Sequence, residues 1–356
     1  MSATPHPGEP TLADFDFELP AGRIAQTPAS RREDARLMLV DRKGVAPVAH
    51  AHVSALPDLV SGDELLLVND AKVVPARLIG RKASGGRVEF LVLESSADDP
   101  TLVRAMGRAS KGIKAGTAVQ IAPGVAVEVV HSLGDGLYDL RLPGGEGEPW
   151  SFLDAHGELP LPPYIARPEG PTEADAERYQ TVFASQPGSV AAPTAGLHFT
   201  EPLVAALRAR GCQLLPVTLH VGPGTFLPVR TERLADHRMH RERYAIPEAT
   251  AQAIAEARRD GRPVLAVGTT VVRAVESAAD ASGAVRPGEG STDIFIRPGY
   301  TFRVVDQLLT NFHLPGSTLL MLVAAFARLE TVRAAYRTAV ADGYRFFSYG
   351  DGMLLR

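Results

Sequence analysis

The chain has 356 residues, of which 45% are hydrophobic and 22% charged, with a formal net charge of −4. This length exceeds the usual single core, so it calls for two domains or one large domain with an insertion. No apolar stretch is long enough to span a bilayer, the charge balance argues against a surface coated in positive potential, and the single cysteine, Cys212, excludes an internal disulfide or a Cys-based zinc site.

The opening "MSATPHPGEPTLA" lacks the basic start and apolar segment of a secretory signal, from which cytoplasmic residence is expected. The stretch "FDFELPAGRIAQ" is expected to pack with an α/β unit. From about Asp63 to Arg141, the short β-rich runs "ELLLV", "VVPARLIG", "RVEFLVLE", "AVQIA", "VAVEVV" and "LYDLRL" alternate with turn signals such as "ASGG", "APG" and "LGDG". Regularly spaced short strands with Gly-rich turns predict a small antiparallel barrel or sandwich. After "LPLPPYI", apolar strands alternate with Ala-rich helical stretches, the pattern of βα units and a mostly parallel sheet. The Pro-rich segment from Leu159 to Pro171 is the expected hinge. The predicted fold class is α/β: a large, mostly parallel α/β domain over 1–62 and 157–356, with an inserted small β-barrel domain over 63–156.

Four turns in the α/β part share a character. The stretch "TAGLHF" contains Thr194 and His198 and precedes the helix "TEPLVAALRARG", which Thr200 caps, Pro202 enters and Gly211 closes. Cys212 follows in the apolar run "CQLLPVTL" and is read as buried and inert. The strand "LLPVTLH" stops at His220 and runs into "VGPGTF", whose glycines allow close backbone approach to a ligand. A helix from Pro247 to Gly261 leads to the strand "PVLAV", then to "GTT" with Thr269 and Thr270, and at once to the helix "VVRAVESAA". Finally "LLTNFHLPGSTLLMLVAAFA" sets Asn311 and His313 before a helix that Ser317 can cap. Ligands of open α/β sheets bind outside the carboxyl ends of strands, where loops and helix N-termini supply donors. Any one of these histidines alone reads as a hydrogen-bonded structural residue; His198, His220, Thr269, Thr270, Asn311 and His313 together point to a small-molecule site. Neither "GTT" nor "GPG" matches a P-loop or a dinucleotide fingerprint, which disfavours an ordinary ATP or nicotinamide enzyme.

The stretch "LADHRMHRERYAIP" carries Asp236, His237, His240 and Glu242, but Arg238, Arg241 and Arg243 would repel a cation, so a solvated or anion-facing surface is expected there rather than a metal site. Basic residues recur in groups: Arg31, Arg32 and Arg36; Arg77, Arg81, Lys82 and Arg87; Arg104, Arg108, Lys111 and Lys114. Solvated faces are the default reading, and phosphate contact is the functional one.

The segments "LLLVNDAKVVPARLIGRK", "YQTVFASQPGSVAAPTAGLHFT", "TLHVGPGTFLPV", "DHRMHRERYAIP", "AVGTTVVRAVES", "TNFHLPGSTLLMLVAAFA" and "YRFFSYGDGMLL" resemble, in order and over nearly the whole chain, the bacterial S-adenosylmethionine:tRNA ribosyltransferase-isomerases of queuosine biosynthesis. The resemblance implies an α/β domain with an inserted β-barrel. It implies transfer of the ribosyl carbons of S-adenosylmethionine to 7-aminomethyl-7-deazaguanine at the tRNA wobble position, giving epoxyqueuosine and releasing adenine and methionine. S-adenosylmethionine is then a consumed substrate, no cofactor or metal is required, and the partners are the donor and the modified tRNA, with no membrane. A monomer is expected.

On this reading His198 is the first candidate for the base that takes a C5′ proton, and His220 the second. Thr194, Thr269, Thr270, Asn311, His313 and Ser317 are candidates for holding the donor. Asp70 and Arg77 in "NDAKVVPAR" either face the base or its phosphates, or bridge each other structurally. The chain departs from many relatives in "MHRE" for "MHSE", in Ala245 where an acidic residue is usual, and in Gly316. Two rival classes are a methyltransferase, which would retain adenine, and a non-catalytic RNA-binding protein, which would leave the donor intact.

Overall fold

Leu65–Asn69 and Val264–Val267 are buried at every position, as strands covered on both faces must be. Their side chains divide by parity. Leu65 and Leu67 pack into one apolar cluster with the helices Glu248–Asp260, Thr269–Ala278 and Thr318–Ala327, whereas Leu66 and Val68 pack into another with Glu201–Arg210. Helices therefore cover both faces of one sheet. The structure, a computed structural model, describes residues 10–96, 98–144, 149–222, 224, 231 and 233–356.

The first strands are β1 (Arg36–Val40), β2 (Ala49–His52), β3 (Leu65–Asn69) and β4 (Ala71–Val73). They are followed by β5 (Arg77–Lys82), β6 (Arg87–Ser95), β7 (Leu102–Ala109), β8 (Ala118–Ala122), β9 (Val125–Gly134) and β10 (Leu137–Arg141). The rest are β11 (Gln186–Ser189), β12 (Gln213–Leu219), β13 (Glu242–Ile246), β14 (Val264–Val267), β15 (Gly288–Thr292), β16 (Gln307–Asn311) and β17 (Gly352–Leu355).

Nine strands form one sheet in the order β15-β13-β12-β3-β14-β16-β17-β1-β2. Its centre, β12-β3-β14-β16, is parallel, as is β17 with β1, and the other pairings are antiparallel. The α/β class stands, with a sheet that is mixed rather than mostly parallel. One reason is the connection to β17. Two successive helices, Thr318–Ala327 and Leu329–Ala341, return the chain to the edge it left. It therefore re-enters antiparallel to β16.

Strands β5 to β10 close into a barrel in the order β10-β7-β6-β5-β8-β9, filled by Leu78, Val88, Phe90, Val119, Val127 and Leu140. The run "ELLLV", expected within the insert, is instead β3, between β12 and β14. Burial at every position suits a strand covered on both faces, not the alternation of a barrel wall. A division at residue 63 would part this strand from its partners. The expected hinge is also a packed segment, because Ile165 lies in a cluster with Tyr179, Leu197 and Tyr349, and Leu159, Leu161 and Tyr164 pack against it.

Cys212 is buried beside Glu64, and burial followed by that carboxylate pushes its thiol up to about 11, which makes it an inert thiol at neutral pH. Among the described residues no helix is long and apolar enough to cross a membrane.

Candidate active site

All four turns contribute to one cleft. Its wall includes Thr194, Val221, Thr269, Thr270, Asn311 and His313. At the end of β14, Gly268 has φ 99° and turns the chain directly into the helix Thr269–Ala278, a conformation costly for any residue with a Cβ. Thr269 is buried there, and Thr270 is held from below by Asn69, whose Nδ2 donates to its Oγ1 at 3.2 Å and to the Leu219 carbonyl at 3.0 Å. The Asn69 Oδ1 accepts from the backbone N–H of Ala71 at 3.0 Å and of Leu219 at 3.1 Å. One buried amide thus fixes the ends of β3 and β12 against the helix. Nothing in the turn pattern singled it out.

Asn311 uses its Nδ2 to donate to the Phe347 carbonyl at 3.0 Å, while its Oδ1 is buried and has no hydrogen-bond partner. Phe347 has φ 75°, a strained conformation for a non-glycine residue that persists only where the surroundings determine it. Here its N–H donates to the Phe312 carbonyl at 3.0 Å and its carbonyl also accepts from the Gly350 N–H at 2.9 Å. Tyr164 packs its ring edge on Phe347 with centroids 4.0 Å apart and shares a 2.6 Å hydrogen bond with Ser348. Tyr164, Thr310, Phe347 and Ser348 all line the cleft and were not singled out as site residues in the sequence. The available signal was the segment "YRFFSYGDGMLL".

His313 shares a 3.0 Å hydrogen bond between its Nε2 and Thr310 Oγ1, and its backbone N–H donates to the Tyr336 hydroxyl at 3.0 Å. Burial lowers its pKa to about 3. His198 is 4% exposed and lies on an adjoining cleft with Arg32 and Arg178, and Ser348 borders both clefts. Its Nε2 makes no hydrogen bond among the described residues, and burial, then Arg345 and Arg32, lower its pKa to about 4 against the opposing effect of the Asn311 side chain. His220 sits close to Gly188, with an unpartnered buried Nδ1, and burial followed by Arg243 lowers its pKa to about 4. All three imidazoles are therefore neutral at pH 7. Neither His198 nor His220 lines the threonine cleft.

The remaining sequence candidates lie elsewhere. Ser317 accepts from the Leu320 N–H at 3.2 Å and donates to the Leu314 carbonyl at 2.8 Å, capping the helix Thr318–Ala327 away from the cleft wall. Asp70 and Arg77 do not bridge each other. Asp70 accepts from Thr218 Oγ1 at 2.7 Å and Ser185 Oγ at 3.0 Å, whereas Arg77 binds Glu89 at 2.9 Å and Glu158 at 3.4 Å. The surface expected around Glu242 is not solvated at that residue. Glu242 is buried, pairs with buried Arg273, and accepts the Gly222 N–H at 3.0 Å. Of the "GPGTFLPVR" turn, Pro223 and residues 225–230 lie outside the described residues.

The buried imidazoles set an acid limit. A histidine that folds to a depressed pKa leaves the unfolded chain binding more protons below its ordinary value, so its stabilising contribution is complete above about pH 6.5 and is lost as the pH falls towards the folded value. His198 and His313 should each remove about 1 kcal/mol of stability between pH 6.5 and 5.5. Urea unfolding across that range checks this, and a flat midpoint would contradict it.

A family profile described as "Queuosine biosynthesis protein" matches residues 12–355. An S-adenosylmethionine:tRNA ribosyltransferase-isomerase of Anaeromyxobacter dehalogenans (strain 2CP-C) is 53% identical over 345 residues, spanning 97% of this chain and 99% of its own. That of Geobacter sulfurreducens is 50% identical over 346 residues, again spanning 97% of this chain and 99% of its own. A crystal structure of an S-adenosylmethionine tRNA ribosyltransferase from Thermotoga maritima is 32% identical, covers 96% of this chain and 100% of its own, and superposes with a TM-score of 0.54.

Proposed function

Because the chain belongs to the queuosine biosynthesis protein family, we propose that it transfers and isomerises the ribosyl moiety of S-adenosylmethionine onto 7-aminomethyl-7-deazaguanine at the tRNA wobble position. The product is epoxyqueuosine in tRNA, with adenine and methionine released. The observation that carries this reading is the convergence of all four turns on one cleft rich in hydroxyl, amide and neutral imidazole groups. The reading takes the enzyme as a cytoplasmic monomer that consumes its donor as a substrate and needs no resident cofactor.

A sulfonium acidifies the adjoining C5′ protons, so a neutral base held out of water can remove one. His198 is the proposed base. Its ring is neutral, its Nε2 makes no hydrogen bond among the described residues, and the Asn311 amide and Ser348 stand between its cleft and the threonine cleft. The C5′ carbanion expels O4′ from C4′, leaving a C4′=C5′ vinyl sulfonium, while O4′ becomes the C1′ aldehyde oxygen and adenine departs with a proton. The tRNA amine adds to C4′ and loses a proton, which regenerates the C5′ carbanion; that carbon adds to the C1′ carbonyl, and the resulting alkoxide expels methionine from C5′ to give the epoxide. Thr194, Thr269, Thr270 and the Asn311 amide are the groups proposed to hold the donor's polar atoms.

Small products should be separated by chromatography after mixing the protein, S-adenosylmethionine and tRNA carrying 7-aminomethyl-7-deazaguanine. Adenine and methionine are expected with that tRNA and not with unmodified tRNA. S-adenosylhomocysteine would make the protein a methyltransferase, and an untouched donor would leave a binding protein.

A further inference from the structure

Of the eleven basic residues that the sequence groups together, three have a carboxylate partner among the described residues. Arg31 pairs with Glu33, Arg77 with Glu89 and Glu158, and Arg104 with Glu94 and Asp139. Arg32 and Arg178 differ. Both are half-buried, and neither makes an ion pair among the described residues. Arg32 donates to the carbonyls of Leu197 at 3.1 Å and Glu177 at 3.0 Å, and Arg178 to those of Ser30 at 3.4 Å and Ala29 at 2.6 Å. The Arg178 Nε is buried without a partner. The two charges feel each other, since burial and then Arg178 lower the pKa of Arg32.

Both line the cleft that carries His198, whose Nε2 makes no hydrogen bond among the described residues. The carboxylates around this cleft are occupied or exposed. Asp175 holds Arg167 at 2.8 Å, Asp351 accepts the backbone N–H groups of Arg36 at 2.9 Å and Arg345 at 2.8 Å, and Glu177 is exposed and acts on Arg32 through space. Two half-buried cations without an ion-pair partner, beside unfilled buried polar atoms, are costly unless an anion arrives to pair with them. An anion with several acceptor oxygens fits guanidinium donors best.

We propose that the cleft between Arg32 and Arg178, floored by His198, seats one backbone phosphate of the RNA substrate. The proposal rests on the reading that this enzyme acts on tRNA, whose phosphodiesters are the anions present in every productive complex. A phosphate there also offsets the positive field of Arg32 at His198. Arrival of the tRNA thereby favours the protonated ring and strengthens the base.

The test is fluorescence anisotropy of labelled tRNA titrated with the full chain at several salt concentrations. Each phosphate contact contributes about 0.7–0.9 to the slope of log affinity against log salt. Arg178→Gln should reduce the slope by about that amount, Arg178→Lys should keep it near wild type, and Arg32→Gln should repeat the loss. If Arg178→Gln fails to fold, as judged by its thermal midpoint, Arg32→Gln decides. Wild-type slopes in the folded Gln variants overturn the subsite and leave the tRNA reading intact. A wild-type chain that binds no tRNA overturns both.

Discussion

Replacing His198 by Gln is expected to lower turnover by a factor on the order of 10²–10³, the range of a lost general base, while the affinity for S-adenosylmethionine stays within a few-fold of wild type. Gln keeps a polar group of similar length but cannot accept a proton. Because the His198 ring is already neutral at pH 7, with its pKa lowered to about 4 by burial and the nearby Arg345 and Arg32, the substitution removes basicity and no charge. A second readout separates a base from a residue that only shapes the wall. Wild-type kcat/KM should fall on an acid limb near pH 4, where the His198 ring takes up a proton, and that limb should disappear in His198→Gln. Near-normal turnover in both His198→Gln and His220→Gln would remove both imidazoles from the base assignment.

Arg273→Met is expected to cost about 3–5 kcal/mol of folding stability, the usual penalty for removing one partner of a buried ion pair. Glu242 would keep its 5% exposure and its bond to the Gly222 N–H but lose its pairing with Arg273. The double variant Arg273→Met with Glu242→Gln should recover much of the loss, because a neutral amide can still accept from Gly222. Urea unfolding of the two variants is the check. A loss below about 1 kcal/mol in the single variant would mean that solvent reaches the pair.

The apolar runs and turns made the architecture legible, and the four strand-end turns led to one cleft, three of them through polar residues and the "VGPGTF" turn through Val221. Three features were not legible. "ELLLV" reads the same in a barrel wall or a sheet interior, and only its partners β12 and β14 decide between them. The Asp70 and Arg77 pairings depend on Thr218, Ser185, Glu89 and Glu158, all distant in sequence except Glu89. Tyr164 entered the cleft from a segment whose prolines suggested a linker, and Phe347 from a turn whose positive φ no periodicity reveals. Sequence spacing showed where strands stop; it did not show which distant segment closes over them.

The position of β17 bears on how the molecule is made. Residues 352–355 occupy an interior place in the nine-stranded sheet, hydrogen-bonded to β16 on one side and β1 on the other. During synthesis, β1 and β2 emerge first but have no route into the sheet until the ribosome has released residues more than 300 positions later. The barrel strands, contiguous over 77–141, can close long before that. Early-translated β1 must wait as an unpaired edge, so this stretch is where a chaperone would act and where premature termination would leave an aggregation-prone strand.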